Sequence, residues 1–223
     1  LEEFRETLDP TSDLIEFLNP LGSDNAYYLD TGWVSSDSTI ELPNSSSIWI
    51  ADKNTIGVNE PVKLTWTSDQ NITFEKIITL DENYLFSVDQ RVINNSGLSF
   101  DLYPYGLSKR QGIPEMQNFF ILHEGPLSIT DGVLEEYDYD DLKDDKKIKH
   151  SSVGGWIGMT DKYWQTAIIP NQNEPVQQTY SYSFVDNIDN FQTDIVGERI
   201  AVSNNASISH NFKIFAGPKI VNI

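Results

Sequence analysis

Val62-Lys63-Leu64-Thr65-Trp66-Thr67, Phe74-Glu75-Lys76-Ile77-Ile78-Thr79-Leu80 and Tyr84-Leu85-Phe86-Ser87-Val88-Asp89-Gln90-Arg91-Val92 follow one another with side-chain character changing at nearly every position. Successive side chains of a strand point to opposite faces, so this period of two marks β-structure with one face turned inward. Phe74, Lys76, Ile78 and Leu80 share a face, and so do Tyr84, Phe86, Val88, Gln90 and Val92. Ser68-Asp69-Gln70-Asn71 and Asp81-Glu82-Asn83 separate the runs with polar residues that tolerate tight turns. Three strands joined this closely predict an antiparallel meander. After Asn94-Asn95-Ser96-Gly97 the pattern continues through Leu98, Phe100 and Leu102.

The same grammar extends outward. Asp131-Gly132 predicts a hairpin between Leu127-Ser128-Ile129 and Val133-Leu134. Residues 163–169 form a strongly apolar strand stopped by Pro170, and residues 179–185 and 195–202 are expected to pair. Ile208, His210, Phe212 and Ile214 alternate with polar neighbours in a last strand. Helical periodicity is scarce; residues 1–18 have room for a short helical turn bounded by Pro10 and Pro20. Residues 34–60 and 138–150 are expected to be exposed loops, with His150 solvated in the second. Many short strands spaced by turns imply an all-β fold of two antiparallel sheets packed face to face. A chain of 223 residues suits one such domain, expected to span 1–223.

Composition removes several function classes. The formal net charge of −19 opposes nucleic-acid binding, which needs clustered Lys and Arg, and tight adhesion to anionic lipid. With no cysteine, disulfides, thiol nucleophiles and Cys–metal sites are excluded. No apolar run approaches the roughly 18–20 residues that span a bilayer, and the charged opening Leu1-Glu2-Glu3-Phe4-Arg5 lacks the apolar core of an export signal.

Ser151-Ser152-Val153-Gly154-Gly155-Trp156-Ile157-Gly158-Met159-Thr160 is the most distinctive motif. Adjacent glycines permit backbone that a side chain would forbid. Tyr103-Pro104-Tyr105-Gly106-Leu107 and His123-Glu124-Gly125-Pro126-Leu127 precede it, and Phe215-Ala216-Gly217-Pro218-Lys219 closes the chain. In this order, with the opening Leu14-Ile15-Glu16-Phe17-Leu18-Asn19-Pro20, the set resembles the large periplasmic domain of the YidC family of membrane-protein insertases of Gram-negative bacteria, in its alphaproteobacterial form. The acidic run 138–145 and the loop 171–178 fall outside the resemblance.

That resemblance implies a β-supersandwich, similar to galactose mutarotases, held on the periplasmic side of the inner membrane as a piece of a longer multi-pass protein. It implies a non-enzymatic scaffold supporting the insertion and folding of inner-membrane proteins. The partners it implies are components of the Sec translocon and nascent inner-membrane proteins. One sandwich edge, roughly residues 106–142, is the implied contact region. Together with aromatics that flank Pro104 at an expected strand end and the basic spot Lys109-Arg110, the expected partner-binding residues are Tyr103, Tyr105, Lys109, Arg110, Tyr137 and Asp140.

Two rivals are defined by chemistry. A mutarotase-like sugar enzyme needs a carboxylate and an imidazole converging in a deep cleft. Of His123, His150 and His210, the pair His123-Glu124 would need a bend to share a cleft, and His210, on the apolar face of its strand, reads more simply as a hydrogen-bonded core histidine. A carbohydrate- or peptide-binding module would instead take an extended peptide or glycan in a cleft lined by aromatics drawn from Trp33, Trp49, Trp66, Trp156, Trp164, Tyr27, Tyr28, Tyr103, Tyr105 and Tyr163, of which Trp66 and Trp164 read more simply as core. No cofactor is implied: phosphate-loop and nucleophile-elbow patterns are missing. No metal site is expected either, since a calcium loop starting at Asp138 would need Gly at Lys143 and Glu at Lys149.

Overall fold

A computed structural model describes residues 9, 11, 12, 17–114 and 123–219. Its strands are β1 (Tyr27–Val34), β2 (Ile50–Ala51), β3 (Val62–Thr67), β4 (Ile72–Leu80), β5 (Leu85–Asn94), β6 (Phe100–Gln111), β7 (Gly125–Thr130) and β8 (Val133–Glu136). A short helix, α1 (Tyr139–Asp145), precedes β9 (Lys147–Val153), β10 (Trp156–Thr160), β11 (Trp164–Ile169), β12 (Pro175–Val185), β13 (Ile188–Gly197), β14 (Ile200–Val202) and β15 (Ser207–Pro218). They build a nine-stranded sheet, in the order β2-β3-β4-β5-β15-β11-β10-β7-β8, and a six-stranded sheet, β1-β6-β13-β12-β9 with β14 beside β6. Ladder pairing is antiparallel throughout. The two-sheet, all-β expectation is therefore borne out.

The meander lies where period two placed it: Trp66 opposes Phe74, and Phe74 opposes Val92. The next strand differs. β6 leaves the meander and joins the other sheet, because Leu102 and Phe100 are buried beside Trp33 of neighbouring β1 and against Ile72 and Phe74 from across the sandwich. A second crossing uses the double glycine. Gly154 and Gly155 both take left-handed backbone (φ 66° and 76°), and they carry the chain from β9 in the smaller sheet to β10 in the larger. A Cβ on Gly155 would stand 2.1 Å from the Ile129 carbonyl oxygen, so no other residue fits without moving backbone.

Three local expectations are corrected. Residues 138–150 are not a loop: an Asp138–Asp141 capping box starts α1, Tyr139 and Leu142 anchor it in the core, and β9 follows. His150 lies within β9, its Nε2 2.9 Å from the Tyr137 hydroxyl, rather than free in solvent. The partner of β12 begins at Ile188, not Ile195. Asp186 and Asn187 both have positive φ, which makes a two-residue turn of the primed kind that suits the strand twist. Residues 200–202, expected to continue that partner, instead pair with β6. The proposed helical turn in residues 1–18 falls mainly outside the described residues.

Two cores fill the space between the sheets. One gathers Tyr27, Leu142, Met159, Tyr180, Phe191 and Phe212; the other gathers Trp33, Ile72, Phe74, Val92, Phe100 and Leu102. Burial pushes the Tyr139 phenol up to about 12, with nearby Arg110 pulling the other way. The first core also ties together the two ends of the described body. Phe17 stacks on Trp164 at 5.1 Å between ring centroids, and the Lys219 N–H donates to the Tyr163 carbonyl at 2.7 Å.

Candidate functional site

Directly opposed residues share a face of a sheet. Leu64, Lys76, Gln90 and His210 are successive cross-strand neighbours on β3, β4, β5 and β15. A row that is apolar on both sides thus becomes polar at the waist between the cores. Lys76 reaches out of the row to the edge strand β1, where its ammonium bonds the Thr31 carbonyl oxygen and the Asp30 carboxylate at 3.2 Å. It also stands 5.3 Å from the Trp49 ring centre. The Tyr105 hydroxyl donates to the other Asp30 oxygen at 2.9 Å, and burial, followed by the Asp30 charge, raises its pKa. Tyr105 can cross to Asp30 because Gly32 lies between them; a Cβ there would be 2.8 Å from the Tyr105 ring.

A cleft of about 530 Å³ opens beside this cluster, lined by Trp33, Trp49, Tyr105, Lys76, Asp30 and Gln90 among others. A larger, mainly apolar hollow of about 890 Å³ adjoins it, with Leu18, Leu64, Val88 and Ile214 in its walls. Both hollows share Tyr28, Leu29, Asp30, Thr31 and Lys76, so they form one trough along the open edge of β1. Gln90 is 1% exposed, and neither its amide nitrogen nor its amide oxygen has a hydrogen-bond partner among the described residues.

His210 is the next member of the row. Its ring packs on Phe212 and meets the edge of Trp33, and its Nε2 lies 3.3 Å from a Glu174 carboxylate oxygen. Burial lowers the His210 pKa, and the Glu174 charge opposes that. The pair borders a separate cleft of about 680 Å³. Since Glu174 engages Nε2 and Nδ1 is enclosed, neither nitrogen is turned to a substrate. His123 bonds the Pro126 carbonyl through Nε2 at 3.1 Å, as a turn residue would.

The expected partner-binding residues scatter. Tyr103, Tyr105, Lys109 and Arg110 all belong to β6, in mid-sheet between β1 and β13; Tyr103 and Tyr105 are mid-strand rather than at a strand end. Arg110 is not a free basic spot: it pairs with Asp161 and lies 4.7 Å from the Tyr27 ring centre. Tyr137 follows the edge strand β8, and Asp140 is exposed on α1. Of the six, only Tyr105 reaches the trough. The residues that sequence reasoning missed are Gln90, Lys76 and Asp30. Gln90 and Lys76 had left a signal, being polar residues on faces otherwise apolar.

The architecture is an antiparallel sandwich of the galactose-mutarotase kind. It superimposes on the crystal structure of a galactose mutarotase related enzyme from Lactobacillus acidophilus with a TM-score of 0.53, covering 76% of this chain and 71% of that one at 9% identity. At that identity only the fold is shared. Sequence is more specific: the family model of the YidC periplasmic domain matches residues 1–223. The Membrane protein insertase YidC of Rickettsia canadensis (strain McKiel) is 35% identical over 224 residues, covering 100% of this chain. Its counterparts in Rickettsia rickettsii (strain Iowa) and Rickettsia typhi are each 34% identical over the same span. The chain belongs to the YidC periplasmic domain family. It spans 40% of the length of these relatives, and no helix among the described residues is long and apolar enough to cross a membrane.

Proposed function

We propose that this chain is a non-enzymatic interaction domain of a membrane-protein insertase, acting as one unit on the periplasmic side of the inner membrane. The observation that carries the reading is the family match over the whole chain, joined to relatives named as insertases. In this reading the sandwich presents sheet edges and loops to Sec translocon components and to nascent inner-membrane proteins. Desolvating a transmembrane segment falls to the remaining length of the parent. Tyr103, Lys109, Tyr137 and Asp140 belong to the proposed contact surface, with Tyr137 and Asp140 best placed for it beside the β8 edge. Crosslinking from positions 105, 109 and 140 of the full-length parent should recover translocon partners. Removing the domain should weaken that recovery more than insertion itself; a deletion that abolishes all insertion overturns the division of labour.

A sugar-converting enzyme is the rival favoured by the His210–Glu174 pair on a mutarotase-like fold. That pair is closed on itself, so the expected result of a mutarotation assay with aldoses is no turnover above background. Turnover lost in His210→Gln would reverse the conclusion.

A further inference from the structure

We propose that the trough along β1 binds the backbone of an uncharged, extended peptide segment, with Gln90 as its buried recognition group. This rests on the interaction-domain reading and names the occupant of one surface. The first support is the edge of β1. Tyr27 exchanges both backbone bonds with Asn19, so Tyr27 turns its N–H and C=O away from β6. By alternation Leu29, Thr31 and Trp33 do the same. Thr31 is occupied on both sides, its N–H bonding Asp30 at 2.8 Å and its C=O bonding Lys76. Among the described residues Leu29 and Trp33 have no such partner, which leaves donor–acceptor pairs of a strand edge beside the trough. Open edges of this kind pair with extended chains.

The second support is independent of the first. Gln90 sits in the floor of the same trough with a donor and an acceptor both unmatched. A buried amide left unpaired is destabilising, and a peptide group offers the two complementary atoms at once. Charge selects the kind of segment. Asp30 and Lys76 neutralise each other, Glu75 is engaged by Lys63 and Arg91, and Lys53 in the wall of the larger hollow adds one positive charge. The trough is therefore close to neutral in a chain of formal charge −19, and a neutral occupant is the complement. The apolar walls at Leu64, Val88 and Ile214 take side chains from one face of an alternating segment.

The test is fluorescence anisotropy of the 223-residue chain with a labelled, end-capped peptide of alternating Val and Ser. The same peptide with prolines in place of serines and a Lys-for-Ser version serve as controls, and a maltooligosaccharide is offered as competitor. The unsubstituted chain should bind the neutral peptide, bind the Lys-for-Ser version more weakly, and fail to bind the proline version, which has lost every second backbone donor and cannot hold a regular strand. Gln90→Leu should weaken binding about tenfold, the effect of losing one or two hydrogen bonds, without lowering the melting temperature. Unchanged affinity in Gln90→Leu, equal binding of the proline peptide, no binding at all, or displacement by the glycan overturns the proposal. A lower melting temperature for Gln90→Leu does so too, because it shows the amide to be matched within the fold. Failure here leaves the scaffold reading standing, since that is decided by translocon recovery with the full-length parent.

Discussion

The two cores and the waist between them are built from the same strands yet obey different rules. β5 contributes Val88 and Val92, both buried among apolar neighbours, and between them Gln90, equally buried but unmatched. β15 sets buried Phe212 beside His210, which is matched at Nε2 by Glu174 but not at Nδ1. Dry, interdigitated packing fixes the frame. Polar groups interrupting it cost stability unless they are hydrogen-bonded. The contrast teaches that the frame and the candidate site can be separated by experiment, although they alternate residue by residue on the same strands.

The largest expected effect is in the frame. Phe191→Ala and Phe100→Ala each remove a buried ring from a different core, and each should lower the unfolding free energy by about 3–5 kcal/mol. Urea melts would read this; equal peptide affinity in both variants would confirm that frame and trough are separate. Next comes the crossing between sheets. Gly155→Ala adds a Cβ 2.1 Å from a carbonyl oxygen at positive φ, with an expected loss of about 3 kcal/mol. A loss below about 1 kcal/mol would mean that the crossing can relax, which the contact does not allow.

Smaller effects sharpen the contrast. Ile195→Val in the first core and Val92→Ala in the second share no core, so their losses should add within about 0.5 kcal/mol. Coupling well above that would mean the waist transmits strain from one core to the other. Mild acid should act on the waist through His210. Because the folded pKa of His210 is lowered from 6.5, the unfolded chain takes up the proton first, and stability falls as pH drops below about 6.5 toward the lowered value. The fall in melting temperature between pH 7 and pH 5 should shrink in His210→Gln; an unchanged fall would assign the acid sensitivity to other groups.

Much of the frame was legible because burial on one face writes itself as period two. The meander, the Asp131-Gly132 hairpin and the last strand all follow from it. The crossing of β6 was not legible: Phe100 and Leu102 alternate identically whichever sheet they join, and only their packing on Trp33 decides. The hairpin at Asp186-Asn187 was hidden because acidic and amide residues on both sides of the turn mask the alternation, although two residues tolerant of positive φ were there to be read. α1 was hidden by its charge, since only Tyr139 and Leu142 bury a face. The trough depends on which residues stand opposite each other across four strands. Gln90 and Lys76 were visible as polar exceptions, but the register that sets them side by side comes from tertiary structure.

The Phe17–Trp164 stack and the Lys219–Tyr163 bond bring the two ends of the described body to one spot. If, as proposed above, the chain is one unit of a longer insertase, a domain moored this way would hang from its host polypeptide like a pendant rather than lie in series with it. Tension along the host chain would be borne at that mooring, and the sheets beyond it would feel little of the load.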